Sequence, residues 1–331
     1  MSALTAPLIP EASVLVANGK QALALIAQEL RSRGVRSLLA PDFYCLTMIE
    51  PFQLEGIGVR HVPTDERALM DPLALTAALS SVGNAAVLHC EVFGARASAL
   101  LQAALESIRL TGVPIVVDAT HSVFSTKHES ADFLVASLRK LLPVPDGAFV
   151  TGIAHRTLRQ RTESDETATN LALSAAEHRR AFLAGQALPA SYLQRLDAAE
   201  DAMLTCRQPV AMSQIALRML GELDVTRLQA DRRTNAQFLI DRMTAAGLAV
   251  LNATTPECGV VVRVDDEVAV ERALLDHGVV CPISWPRPPG LSRQIRWRTG
   301  WVTLPVDPCL EHDHLERVAS VVTRARPRVR Q

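Results

Sequence analysis

Pro114-Ile115-Val116-Val117-Asp118-Ala119-Thr120-His121 and, a short way on, Phe133-Leu134-Val135-Ala136-Ser137-Leu138-Arg139-Lys140 decide how this chain folds. Each segment opens with a continuous apolar run of strand length and closes on polar residues, the pattern of a strand buried on both faces. Ligands of an open parallel sheet bind outside the carboxyl ends of its strands. Two neighbouring strand ends therefore set an acid, Asp118, and an amine, Lys140, over one crevice. On spacing alone, a plain ion pair or two surface loop charges explains the same residues equally well.

The pattern extends in both directions. Further strands are predicted at residues 37–40, 59–62 and 86–90, and a strand returning antiparallel at 148–151 follows the turn Pro143-Val144-Pro145-Asp146-Gly147. Between them lie amphipathic runs at 21–31, 72–79 and 98–110; the first places Leu23, Ile26, Ala27 and Leu30 on one face behind an Asn18-Gly19 cap. From about 171 to 240 the pattern is nearly all helical, with Leu217, Leu220, Leu223 and Leu228 as buried candidates. After Gly247 a strand at 260–264, a helix at 267–276, a short strand at Val279-Val280, a proline-rich loop and a strand at 301–304 complete the chain. Such alternation implies an α/β fold, a mostly parallel sheet between helices, with a smaller C-terminal α+β domain. The division is expected between a large domain, 1–206, and a connecting helix with the small domain, 207–331.

The 331 residues are 48% hydrophobic and 21% charged, enough apolar material for a large core. A formal net charge of -1 carries no electrostatic footprint for nucleic acid or an anionic membrane, and the basic tail Arg324, Arg326, Arg328, Arg330 reads as a solvated terminus. No secretory signal opens the chain and no apolar run is long enough to span a bilayer, so a cytoplasmic protein is expected. The six cysteines are scattered without a CxxC pair, which argues against a structural metal and against a disulfide framework. Of 34 basic residues only Lys20, Lys127 and Lys140 are lysine. A lysine kept in such a chain is a candidate for amine chemistry, which a guanidinium that never loses its proton cannot perform.

Asp118-Ala119-Thr120-His121, Ser137-Leu138-Arg139-Lys140 and the following Pro-Val-Pro-Asp-Gly turn together resemble the cofactor-binding core of the fold type I pyridoxal-phosphate enzymes, and within them the DegT/DnrJ-type aminotransferases. The likeness extends to Asn18-Gly19-Lys20-Gln21-Ala22-Leu23, similar to that family's phosphate-binding turn, to Met212-Ser213-Gln214, and to Leu304-Pro305. It implies pyridoxal 5'-phosphate as cofactor, Lys140 as Schiff-base lysine and proton shuttle, and Asp118 as partner of the pyridine nitrogen. It further implies His121 beside the phenolic oxygen, although a histidine satisfied in the core fits too, and Ser137 with the Gly19, Lys20 and Gln21 amides on the phosphate. Tyr44, or after it Phe43, would stack on the ring, unless these aromatics belong to the core. Where the family carries an asparagine that reaches the neighbouring subunit's phosphate, Arg207-Gln208-Pro209-Val210 stands here: either Arg207 or Gln208 replaces it, or the contact is absent.

These roles are chemically coherent. A desolvated lysine, or one beside positive charge, keeps its amine neutral enough to condense with an aldehyde. A carboxylate against the pyridine nitrogen keeps it protonated and the ring an electron sink. A helix N-terminus attracts the phosphate dianion. The expected reaction passes an amino group from a small donor to a keto or aldehyde acceptor; a lyase, cyclase or decarboxylase on the same core is the alternative. Arg293, Arg296 and Arg298 are interchangeable candidates for a substrate carboxylate, and a packed surface loop explains them equally well. A non-enzymatic cofactor-binding regulator is disfavoured because no basic helix-turn-helix segment accompanies the fold. The resemblance also implies a homodimer with shared sites, for which Leu217, Leu220 and Leu223 offer apolar surface unless they bury in their own subunit.

Overall fold

The computed structural model describes residues 8–125, 131–154, 166–205, 208–288, 291, 297 and 300–325. Its main sheet is formed by β1 (Val14–Val16), β2 (Ser37–Pro41), β3 (Gly58–Val62), β4 (Ala85–Cys90), β5 (Ile115–Asp118), β6 (Phe133–Ser137) and β7 (Ala148–Val150). Their order across the sheet is β1-β7-β6-β5-β4-β2-β3. Strands β2 to β6 pair in parallel, while β7 runs antiparallel to β6 and β1 antiparallel to β7. The apolar runs of β4, β5 and β6 are buried at every position, as strands covered on both faces must be.

Successive side chains of a strand point to opposite faces, and the two main cores follow that alternation. Ile115 and Val117 of β5 pack on the side of α3 (Pro72–Leu79) and α4 (Ala99–Leu110), whereas Val116 packs with Leu23, Ile26 and Leu30 of α1 (Gly19–Ser32). Asn18 caps α1 by accepting a bond from the Gln21 amide at 3.0 Å. The antiparallel return expected after Pro-Val-Pro-Asp-Gly is β7. Gly147 has φ 126° there, and a Cβ on it would lie 2.7 Å from Met212 Cε. Asp146 of the same turn accepts bonds from the Ser213 amide and the Thr169 hydroxyl, which locks the turn onto the start of a later helix.

The helical middle comprises α5 (Glu166–Leu183), α6 (Pro189–Thr205), α7 (Gln214–Glu222) and α8 (Val225–Ala245). After it β8 (Val260–Arg263) and β9 (Trp301–Leu304) form an antiparallel pair flanked by α9 (Glu267–Asp276) and α10 (His312–Arg324). Val260, Val262, Val302 and Leu304 join Leu239 and Met243 of α8 and Val318 of α10 in a separate core. Asp307, just beyond the Leu304-Pro305 step, accepts bonds from both Arg179 of α5 and Arg232 of α8 at 2.9 Å.

Four readings of the sequence need correction or addition. Val279-Val280 is not a strand: Gly278 turns the chain at φ 73°, the Val279 amide closes α9 on the Leu274 carbonyl, and Val280 is exposed. The three-residue β1 was too short to register. Helix α2 (Leu46–Leu54) was hidden by Pro51, which reads as a breaker but sits where it still ends the helix through its carbonyl. Leu220 is buried in its own core and Leu217 and Leu223 are partly buried against it, the alternative to an apolar contact surface. Among the described residues no helix is long and apolar enough to cross a membrane.

Candidate active site

The carboxyl ends of β4, β5 and β6 lie side by side, with Cys90 opposite Asp118 and Asp118 opposite Val135. The chain leaves β5 into a 3-10 turn, Thr120–Ser122, and β6 into another, Leu138–Lys140. Thr120 joins them: the Ser137 amide donates to its Oγ1 at 3.0 Å, and its own amide donates to Asp118 Oδ1 at 3.0 Å. Asp118, His121, Ser137 and Lys140 are thereby gathered at one edge of the sheet.

Asp118 is buried, and burial pushes its carboxyl above the usual range despite the Thr120 hydrogen bonds; the nearby negative charge of Glu91 adds to that rise. Among the described residues no cation faces it. His121 is held down to about 4 by burial and then by the charge of Lys140, so at neutral pH it is an uncharged hydrogen-bonding ring. Trp285 stacks on it at 5.7 Å between centroids. The Lys140 amine is held below the ordinary lysine range, first by the adjacent Arg139 guanidinium and then by partial burial.

At the neighbouring strand end the first turn of α1 abuts Ser137. A Cβ on Gly19 would sit 3.2 Å from Ser137 Cβ, so the bare glycine keeps the helix N-terminus against the serine. Of the three amides expected at this cradle, Gln21 is committed to the Asn18 cap, and its side chain accepts from the Val210 amide at 3.1 Å. The Gly19 and Lys20 amides are those left for an anion. The Lys20 ammonium turns away to Glu50 at 2.8 Å and to the Leu204 carbonyl at 3.0 Å.

The aromatic readings are redirected. Phe43 is 1% exposed and packs against Phe93, Trp285, Trp297 and Trp301, which makes it part of an aromatic core. Tyr44 lies flat on His61, 4.7 Å between centroids and 8° from parallel, so one face of its ring is already taken. The residue that neighbours Lys140 is Cys45, directly after this segment. Sequence reasoning also missed Thr120, Glu91, which accepts the Ser122 hydroxyl, and Glu200 of α6, which faces Arg139 and Lys140. The signals for Thr120 and Glu91 were present as polar residues directly after strands; Glu200 gave none, because its place depends on how α6 packs. Lys127, Arg207, Arg293, Arg296 and Arg298 lie outside the described residues.

A buried acid that no described cation faces, an amine on the next strand end and a helix N-terminus beside a hydroxyl are together suited to a phosphorylated aldehyde. The residues fit pyridoxal phosphate. The sequence model for aminotransferase class I and II matches residues 3–321, and the chain belongs to that family: it is a pyridoxal-phosphate-dependent aminotransferase, a transferase working on a small substrate. No curated protein matches the chain. Its fold is shared with that of S. venezuelae DesV, solved in complex with a ketimine intermediate, at TM-score 0.65 and 18% identity over 98% of this chain and 88% of that one. The sugar aminotransferase CalS13 from Micromonospora echinospora superposes at TM-score 0.63 and 18% identity, covering 94% and 87%. A DegT DnrJ EryC1 StrS aminotransferase from Brucella abortus gives 0.61 and 16%, covering 94% and 85%. The DegT/DnrJ resemblance thus holds at the level of fold.

Proposed function

We propose that this aminotransferase works through Lys140 and Asp118, passing an amino group from a small donor to a keto or aldehyde acceptor. The observation that carries the assignment is their juxtaposition on adjacent strand ends, tied by Thr120 between Asp118 and Ser137. Bound pyridoxal phosphate supplies an aldehyde for amine exchange and a ring that takes up electrons. Asp118 holds a proton on the ring nitrogen; its burial without a described cation leaves its charge for that purpose. Gly19 and Lys20 amides and the Ser137 hydroxyl bind the phosphate. His121, neutral, offers a ring nitrogen to the phenolic oxygen. Lys140 moves the proton at the substrate carbon, for which an amine below the usual lysine range is suited.

The test is chemical. The purified protein incubated with pyridoxal phosphate should turn yellow, and borohydride should fix the cofactor on one peptide, the one bearing Lys140. Fixation on Lys20 or Lys127 overturns the assignment.

The same reading includes a homodimer in the cytoplasm and a division of the chain near 206/207. The separate core around β8 and β9 supports the division, and the free thiols among the described cysteines agree with a reducing compartment. For the dimer, exposed Leu46 and Leu54 share one face of α2 with Glu50, whose partner Lys20 borders the phosphate cradle. Light scattering with cofactor present should give twice the 35.9 kDa chain mass. A monomer that still turns over substrate at high dilution removes the dimer from this account.

A further inference from the structure

Among the described residues Glu200 is the acid that pairs with the Lys140 amine, and it arrives from a distant part of the chain. Its carboxylate forks onto Arg139, with Nη1 to Oε1 at 2.5 Å and Nη2 to Oε2 at 2.8 Å. The shared Oε1 lies 3.6 Å from Lys140 Nζ. Helix α6 is pinned at both ends. Tyr192 donates its hydroxyl to the Gly278 carbonyl near its start. Asn18 Nδ2 donates to the Met203 carbonyl at 3.2 Å, and Lys20 Nζ to the Leu204 carbonyl, near its end. Glu200 is therefore a placed charge, with Arg139 only 12% and itself 30% exposed at the side chain.

We propose that Glu200 is a positioning residue for Lys140: its fork on Arg139 fixes the turn that carries the lysine, and its charge offsets the guanidinium beside the amine. The proposal rests on Lys140 being the cofactor lysine. An arginine always carries its charge and the planar fork matches a carboxylate bidentately, so the Arg139–Glu200 pair is a nearly neutral unit with fixed geometry. Burial opposes the charge on Glu200, but the Arg139 hydrogen bonds and the charges of Arg139 and Lys140 outweigh it and bring its carboxyl to about 2, so it is ionised throughout the working range. The other titratable neighbours of Lys140 among the described residues are Cys45, just before α2, and His121, just after β5, on which the lysine's charge acts. His121 is uncharged at neutral pH, and the carboxylate that faces the amine is that of Glu200.

Each partner's removal then moves Lys140 in a different direction. Glu200→Gln leaves Arg139 unbalanced, and the amine should lose its proton at a pH lower by about one unit or more, taking the water-like end of the Coulomb range for a side chain 45% exposed. Arg139→Gln leaves Glu200 to the lysine alone, and the midpoint should rise. Glu200→Asp, which keeps the charge, should return most of the parent value. A simple packing defect has no reason to give shifts of opposite sign.

The full-length protein, freed of carbonyl cofactor, is acylated with trace acetic anhydride across a pH series, and Lys140 labelling is read by peptide mass spectrometry. The Lys20 peptide in the same digest, paired with Glu50, serves as reference. The expected result is a downward shift for Glu200→Gln and an upward one for Arg139→Gln. Midpoints within about 0.2 units of the parent in both variants, or shifts of the same sign, overturn the proposal. If one variant fails to fold, the sign of the other decides. Because labelling needs no cofactor, its outcome is separate from borohydride mapping: fixation on another lysine sinks the site assignment, while an unchanged Lys140 profile sinks only the role of Glu200.

Discussion

Lys140→Ala is expected to lower kcat roughly a thousandfold or more while leaving the melting temperature almost unchanged. In the proposed mechanism the lost amine serves twice, as the cofactor's anchor and as the group that moves the substrate proton, and positioned proton transfer alone contributes about a hundredfold to ten thousandfold. Its structural contribution is small by comparison. The side chain is 45% exposed and its ionic partner is Glu200 at 3.6 Å, which keeps a bidentate bond to Arg139 when the lysine is gone. Exposed ion pairs are worth about 0 to 1 kcal/mol, a shift of no more than about 4 °C in a chain of this size. Steady-state rates and thermal melts on the same preparation check both halves. A variant that keeps its rate within about tenfold removes Lys140 from the chemistry.

How much of this was legible before the fold was known depends on the range of the forces concerned. The strands β4, β5 and β6 were readable because an apolar run closed by polar residues has few other uses. Their carboxyl ends followed from the topology of parallel sheets, and with them Asp118 and Lys140. What remained hidden is non-local. Gln21 belonged to the phosphate turn by position, yet the Asn18 cap claimed its amide and Val210 its side chain, across most of the chain length. Phe43 and Tyr44 were readable as aromatic but not as partners of Trp285 and His61. Glu200 became visible only once α6 was seen tied to Asn18 and Lys20.

Asp118→Asn should separate function from stability by moving them in opposite directions. The amide has the carboxylate's shape, so Thr120 can still donate to the side-chain oxygen it now meets at 3.0 Å. What disappears is the negative charge. In the cofactor-free protein that charge is a burden, because burial raises the Asp118 carboxyl and Glu91 repels it. An acid whose folded value is raised is stabilising below its unfolded value and loses that contribution as pH rises through the folded value, so the penalty on the charged form sets in on the alkaline side of that value. Without the charge the penalty is absent, and the cofactor-free Asp118→Asn variant should melt at or above the parent temperature. With cofactor bound, the proposed role of the charge is to hold a proton on the ring nitrogen. Removing one partner of a buried charged pair costs about 3 to 5 kcal/mol, which, felt in the transition state, lowers kcat by roughly a hundredfold to a few thousandfold. The pair of measurements is thermal melting of the cofactor-free protein and single-turnover rate of the loaded one. A variant that melts lower and reacts at the parent rate would show Asp118 to be a structural acid, with the electron sink maintained by some other group.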